Sequence, residues 1–513
     1  MGAAFFSLDD CLSNYRPVNL IQPIVRTIMR SRLLLVPIVA AILSACAGIE
    51  PGAPRASTVD PAALGAQLTP VTWPTEHWWQ RYGDAQLDAL VDEALAGSPS
   101  LAVARARLAQ ASAAARLTSA QAGARVNGNF NATRQRYTEN GAVPKPLAGS
   151  VDTDAKLSLD ASIDLDFWNR NGKLLDAALS QERAAQAQQQ AARVLIAGTV
   201  TSSYLDLQRL FTQHQVLSAA IKQREDLLAL TRQRFDAGLD TQVEVRQAES
   251  EMASARTERA RLDESIALQR NQLAALIGAA PARGEAIVAK PLQAPATIAP
   301  AAVPLNLLGR RADVVAARWR VEASERDIDA ARASFYPNVN LVGFVGLSAL
   351  GLPNLLQAGS GIAGIGPAVS LPIFDAGRLN ANYQGRRADA DLAIANYNQT
   401  VTDAVHQVAD TLQSMQWLKT QTAEQRQARQ AIEAAYDIAL KRYRAGLGTY
   451  LTVLTAQSAV LAQQRLDADL QARALLLDAD LMRNLGGGID TGDWPEARAT
   501  PEAPQHVAAT AAR

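Results

Sequence analysis

Side chains able to do chemistry are sparse and scattered in this chain. Its four histidines, His77, His214, His406 and His506, lie far apart, whereas a metal site needs clustered His, Cys or carboxylate ligands. Gly359-Ser360-Gly361-Ile362-Ala363-Gly364 fits a G-x-G-x-x-G pattern. A dinucleotide fingerprint needs a strand before the glycines and a helix opening on them. Here an extended stretch with Pro367 and Pro372 follows instead, so the glycines read as a flexible hairpin loop. Asp160, Asp164 and Asp166 suggest paired acids only until their spacing is considered: they repeat along one strand face, like a lining. The chain has no G-x-S-x-G elbow, Cys/His pair or phosphate loop. These residues predict no enzyme, no metal and no cofactor.

The elements around them are more informative. Arg234-Phe235-Asp236-Ala237-Gly238-Leu239-Asp240-Thr241 ends one long helical pattern and opens another. The same turn returns as Arg442-Tyr443-Arg444-Ala445-Gly446-Leu447-Gly448-Thr449, 208 residues later (238 to 446). Gly238 and Gly446 suit the left-handed C-terminal cap of a helix, and Thr241 and Thr449 can cap the helices that follow. A helix–turn–helix written twice implies a duplicated chain.

The copies agree element by element. After the amphipathic run Gln86 to Leu95, Ser98-Pro99 starts a helix reaching about Ala122. Two strands follow. Val126, Gly128, Phe130 and Ala132 alternate with polar residues, and so do Leu157, Leu159, Ala161, Ile163, Leu165 and Phe167. Gly172 to Arg234 is one helix of about 63 residues, ~95 Å long, and Val243 to Ile277 a second of about 35. The second copy reads as a helix from Asp313 to Ala333, a strand through Val339 to Leu347, and a Gly-rich loop. A strand through Ile365 to Ile373, a helix from Gly377 to Arg442, and a shorter one from Thr449 to Leu485 complete it. The two short helices of each copy together match its long one, so they can stack end to end beside it. Each copy is then two helical columns with a β-hairpin at one end and the tip at the other.

Strands with one apolar and one polar face suit lipid on one side and water on the other. Each chain supplies four, but a closed membrane barrel needs at least about eight, and lipid tolerates no open edge. Several chains must share a barrel; three would give 12 strands over 12 helical columns. The expected fold is mainly α with a membrane β-barrel.

Arg26, Arg30 and Arg32 precede the apolar run Leu33 to Leu43, a secretory signal too short to span a bilayer. It ends in Leu43-Ser44-Ala45-Cys46, which resembles the lipobox of bacterial lipoproteins. That resemblance implies cleavage before Cys46, its acylation, and, with Ala47 next, sorting to outer-membrane lipid. Residues 1–28 do not fit the signal, which points to Met29 as the start. Only Cys11 and Cys46 are present, so the mature chain is expected to have no disulfide. The sequence divides into a signal region at 1–45, a lipid tether at 46–72, a first repeat at 73–280, a linker at 281–304, a second repeat at 305–488 and a disordered tail at 489–513.

Four motifs carry a wider resemblance: Trp78-Trp79 with Gly83-Asp84 and Leu87; Arg310-Arg311-Ala312-Asp313-Val314; Gly366 to Leu379; and the tip from Arg442 to Gln457. Over about residues 73 to 487 the chain resembles the TolC-type outer-membrane factors of tripartite efflux systems, in their lipoprotein branch. The resemblance implies a homotrimer with a 12-stranded barrel and a long periplasmic α-helical barrel. It also implies a periplasmic membrane-fusion adaptor and an inner-membrane efflux pump as partners. Two departures stand out: the family often has proline at Ala312, and Asp at Thr455, where it forms an acidic entrance ring. Asp240 and Glu244 are the substitutes nearest to hand.

The tips are therefore expected to surround the periplasmic entrance. Asp236, Asp240 and Glu244 on the first face Lys441, Arg442 and Arg444 on the second, and an Asp240–Arg444 pair is expected to hold the entrance shut. Phe235, Leu239, Tyr443 and Leu447 offer apolar contacts to an adaptor, on turns set by Gly238 and Gly446. The function expected is passive export of drugs or other small molecules. An outer-membrane conduit for type I protein secretion uses the same fold, and a pore-less periplasmic helical scaffold is the remaining alternative. A zero net charge, from 50 basic and 50 acidic residues, gives no footprint for nucleic acid.

Overall fold

The structure is a computed structural model that describes residues 54–67, 71–291 and 300–489. Cys11, Cys46, the signal and His506 lie outside the described residues. The main elements in order are α1 (Ala85–Gly97), α2 (Pro99–Ala122), β1 (Arg125–Arg136), β2 (Val151–Asp164), α3 (Arg170–Asp236) and α4 (Gln242–Leu276). Then come α5 (Ala312–Ala333), β3 (Asn338–Leu350), β4 (Gly361–Ser370), α6 (Arg378–Arg444) and α7 (Tyr450–Asn484). The mainly helical, duplicated fold is as expected. Helices α3 and α6 both have 67 residues, and α4 and α7 both have 35. Helices α6 and α7 each start 208 residues after their counterparts α3 and α4 (170 to 378, 242 to 450).

The chain forms two compact units: Gly123–Arg170 with Ile328–Arg386, and Arg55–Ala122 with Asn171–Asp327 and the chain from Arg387 on. The first contains a four-stranded antiparallel sheet in the order β1-β2-β3-β4. Its register puts Asn127, Asn129, Asn131, Lys156, Ser158 and Asp160 on one face, with Asn129 opposite Ser158 and Asn131 opposite Lys156. Asp160 Oδ2 accepts from Asn129 Nδ2 at 2.7 Å and Ser158 Oγ at 2.8 Å. The other face carries Val126, Phe130, Leu159, Val345 and Ile365, all exposed, Ile365 by 80%. A sheet in a soluble core would cover such a face; this one is bare.

Three strand boundaries differ from expectation. β4 begins at Gly361, so the second half of the glycine pattern is strand and not loop. Gly364 is there because the Phe344 ring lies across it: a Cβ would sit 2.8 Å from that ring. β4 also stops at Ser370, before Pro372, whose missing N–H cannot join a ladder. β2 ends at Asp164, and Leu165 and Phe167 belong to a turn in which Asp166 and Asn169 have φ of 43° and 55°. Asp166 therefore does not continue the lining of Asp160 and Asp164. There Trp168 stacks on Tyr336 at 4.6 Å and donates to the Pro337 carbonyl at 2.8 Å.

In the helical unit the short helices do abut. Gly278, just past α4, has φ 76°, and a Cβ there would meet the Gly97 carbonyl oxygen at 2.5 Å, at the junction of α1 and α2. Gly486, just past α7, has φ 99°, and a Cβ there would meet the Arg310 carbonyl oxygen at 2.7 Å, just before α5. Both end-to-end joints are thus closed by a glycine that no side chain can replace without displacement. The core collects Trp78, Trp79, Leu87, Leu90, Val91, Tyr204 and Leu207 from the first copy with Val408, Leu481 and Met482 from the second. Tyr82 donates to Asp478 at 2.8 Å, and Tyr204 donates to Asp84.

Within the two stretches read as tether and linker, described residues are packed rather than free. The amides of Ala56 and Val59 donate to Asp391 Oδ1 at 3.1 Å and Asn398 Oδ1 at 2.8 Å, both on α6. Val59 and Leu64 pack on Val314, Val401 and Ala404. Gln67 pairs in parallel with Pro304. After α4, Pro281–Glu285 is a short helix.

Candidate functional site

Both tips form as the glycines require. Leu239 N–H reaches back to the Arg234 carbonyl and Leu447 N–H to that of Arg442, each at 2.8 Å, with Gly238 and Gly446 at φ 72° and 77°. These are the six-to-one bonds of a glycine-capped helix end. The following helices start differently. Thr241 and Glu244 form a full capping box on α4, with Glu244 accepting from Thr241 N–H at 2.9 Å. On α7 the residue at that position is Thr452, and Thr449 accepts its N–H at 3.4 Å.

The tips are joined within one chain. Arg234 forks onto Asp240, Nε to Oδ2 at 2.9 Å and Nη2 to Oδ1 at 3.3 Å, while its Nη1 donates to the Tyr443 carbonyl at 3.0 Å. Its guanidinium lies 4.6 Å from the centre of the Tyr443 ring. Tyr443 Oη donates to Asp240 Oδ2 at 2.5 Å and stands 3.2 Å from Thr231 Oγ1. The cluster is largely buried: the Arg234 and Asp240 side chains are only 11% and 10% exposed. Tyr443 packs with Leu227, Ala248, Tyr450 and Val453.

The environment sets the charges. Burial alone would raise the Asp240 pKa, but hydrogen bonds from Arg234 and Tyr443 outweigh it and hold the carboxyl below its usual range. Burial first, and the bond to Asp240 second, push the Tyr443 phenol up to about 12. The Asp240 bond raises Arg234. Glu244 is lowered by its bonds to Thr241.

This geometry corrects two expectations. Asp240 pairs with Arg234 of its own tip, not with Arg444; a six-residue separation across the tight turn brings their side chains together. Tyr443 is fully buried, so its ring cannot meet an adaptor, because it fills the space between the tips. Phe235, Leu239 and Leu447 are exposed. Arg444 is exposed as well, and Arg442 donates to the Leu447 carbonyl at 3.3 Å. Arg234 and Thr231 were not singled out from sequence. The signal for Arg234 was its equivalence to Arg442 with an acid, Asp240, close after it. At the Asp240 position the second copy has Gly448.

The described histidines stay apart: His214 meets Asp263 at 3.2 Å, His406 meets the Thr402 carbonyl at 2.9 Å, and His77 packs on Trp79. Among the described residues no group of His, Cys, Asp and Glu is placed to hold a metal.

A bare-faced antiparallel sheet with paired long helices, duplicated and closed at joined tips, defines the class of outer-membrane channel proteins with a helical barrel and a β-barrel. The family described as outer membrane efflux protein matches residues 90–279 and 303–487, and the chain belongs to that family. It is 36% identical over 355 residues to the fusaric acid resistance protein FusA of Burkholderia cepacia, covering 67% of each chain. It is 31% identical to the multidrug resistance outer membrane protein MdtP of Escherichia coli strain K12, over 91% of this chain and 99% of that one. Among solved structures, the outer membrane protein VceC from Vibrio cholerae superposes with a TM-score of 0.77 at 38% identity, over 82% of this chain and 100% of VceC. CusC gives 0.76 at 26% identity, over 85% and 99%. The protein is an outer-membrane efflux channel.

Proposed function

We propose that three copies of this chain form the outer conduit of a tripartite pump, which passively exports small organic molecules delivered by a periplasmic adaptor and an inner-membrane pump. The observation that carries this is the single-layer sheet. One face is apolar and bare, the other is lined with Asn, Ser, Lys and Asp, and among the described residues the outer edges of β1 and β4 are unpaired. Lipid forbids such edges, and closure by identical copies satisfies them without another partner. Fusaric acid and multidrug resistance in the names of relatives favour small molecules over secreted proteins.

The joined tips act as the resting latch of the entrance in this reading. Asp240, Glu244, Arg442 and Arg444 surround it, and an adaptor opens it from the exposed Phe235, Leu239 and Leu447, on the turns held by Gly238 and Gly446. Cys46 carries the lipid, and the docked residues 55–64 lead the chain from it to α6. The test is native mass spectrometry in detergent joined to planar-bilayer recording. Three protomers and a conductance that rises with adaptor are expected; a stable monomer with intact β-structure overturns the reading. Labelled palmitate should enter the wild type and not Cys46→Ser, and equal labelling removes the anchor.

A further inference from the structure

A cavity of about 680 Å³ in the helical unit is lined by one stripe from each of α2, α3, α5 and α6. On α5 the stripe is Asp313, Ala316, Ala317, Arg320, Ser324 and Asp327, the i, i+3, i+4, i+7 spacing of a single helical face. Four helices facing one cavity make its side of the layer concave.

The N-terminal strap fixes which side that is. On α6 the cavity is lined by Asp389, Leu392, Ala393, Asn396 and Thr400, whereas the strap is held by Asp391, Asn398 and Val401. At about 100° per residue these two sets lie on opposite faces of the helix. A strap that leads to a membrane anchor runs on the outside of a channel, so the cavity faces the lumen. This step rests on the proposed channel and anchor.

Two guanidiniums reach the cavity, those of Arg107 and Arg320. Neither has an ion-pair or hydrogen-bond partner among the described residues. Of the acids of the wall, Asp313 is bonded to Arg311 at 2.7 Å, and Asp327 and Asp389 each have an interaction of their own. Arg320 is half-buried, and burial draws its pKa below the ordinary arginine value with no carboxylate to offset it. A half-buried cation without a counter-charge is costly, and an anion accepting from the guanidinium fork removes that cost. Val103, Leu195 and Leu392, with several alanines, form an apolar part of the wall, and Gln181, Gln188, Asn396 and Thr400 add neutral polar groups beside it.

We propose that this cavity is a binding station for small organic anions on the lumen wall, in which Arg107 and Arg320 take a carboxylate and the Ala/Leu/Val wall takes an apolar body. Passing solutes of this class dwell there, and neutral analogues do not.

The test uses the full-length protein in detergent, with 2-naphthoate as probe and its neutral isostere 2-naphthamide as control. Saturation-transfer NMR should show naphthoate binding to the wild type, weakened about tenfold or more in Arg320→Gln and in Arg107→Gln and partly retained in Arg320→Lys. Naphthamide should show no difference between the proteins. Arg107 is exposed, so its variant tests the site even if Arg320→Gln fails to fold. Equal naphthoate binding in wild type and Arg107→Gln, or none in the wild type, overturns the station. Loss of trimer in folded Arg320→Gln also overturns it, by assigning that cation to a neighbouring copy. A wild type that binds naphthoate but never conducts in bilayers sinks the channel reading and leaves the site standing.

Discussion

The phenol of Tyr443, on the second tip, donates to Asp240 Oδ2 on the first at 2.5 Å, and Arg234 holds both oxygens of the same carboxylate. Residues about 200 positions apart are thereby joined through one buried acid. Removing the phenol leaves Asp240 one donor short in a largely buried site, which costs about 1–3 kcal/mol. Tyr443→Phe should therefore loosen the tips with little change in fold. The measurement is channel conductance without adaptor, which should rise, and more so in Asp240→Asn, where Arg234 also loses its ion pair. Conductance equal to wild type in both variants removes the latch.

The latch should also be bounded in pH. The folded Asp240 pKa is depressed, so its stabilisation is present above the usual Asp value of about 4 and is lost as pH falls through the lower folded value. The Tyr443 phenol is raised to about 12. Its contribution is complete below the usual Tyr value of about 10 and is lost as pH rises toward 12. Trypsin cleavage at Arg442 and Arg444 should be slow between about pH 5 and 9 and faster at pH 10.5. A Tyr443→Phe variant should not show the alkaline rise.

Much of this was legible because it depends on local pattern. The 208-residue repeat, the caps at Gly238 and Gly446, and the helix lengths follow from residue spacing alone. Strand ends were less legible, since Phe167 continues the alternation of β2 after the backbone has turned at Asp166. The site was hardest to read. Whether Asp240 meets Arg234 or Arg444 depends on how two helix ends pack, and spacing says nothing of that. Arg320 looks like any helical arginine until four helices close around it.

The glycines past the helix ends should differ in kind. A Cβ at Gly238 or Gly446 meets nothing within 4 Å, so Gly→Ala there costs only the left-handed backbone, about 1–2 kcal/mol. At Gly278 and Gly486 the same change also drives a Cβ into the carbonyls of Gly97 and Arg310. Thermal unfolding should rank Gly278→Ala and Gly486→Ala well below Gly238→Ala and Gly446→Ala. Equal midpoints for the four would mean that the stacked joints are not tight.

Adjacent residues of β1 test which face meets lipid. Phe130 and Asn131 sit near the middle of a strand that runs from Arg125 to Arg136, and their side chains point to opposite faces. Phe130 shares its face with Leu157, its partner in register, and is 62% exposed with nothing packed over it. Asn131 is opposite Lys156, on the polar face. An arginine near the bilayer midplane on the lipid side of a barrel costs about 2–4 kcal/mol, whereas lumen positions tolerate charge. Phe130→Arg in three copies should block assembly of the heat-resistant oligomer on unboiled gels and leave the chain out of the outer-membrane fraction. Asn131→Arg, one residue away with the same added charge, should insert and assemble as wild type. If the two variants behave alike, the bare apolar face does not meet lipid, and the sheet must be covered by protein instead.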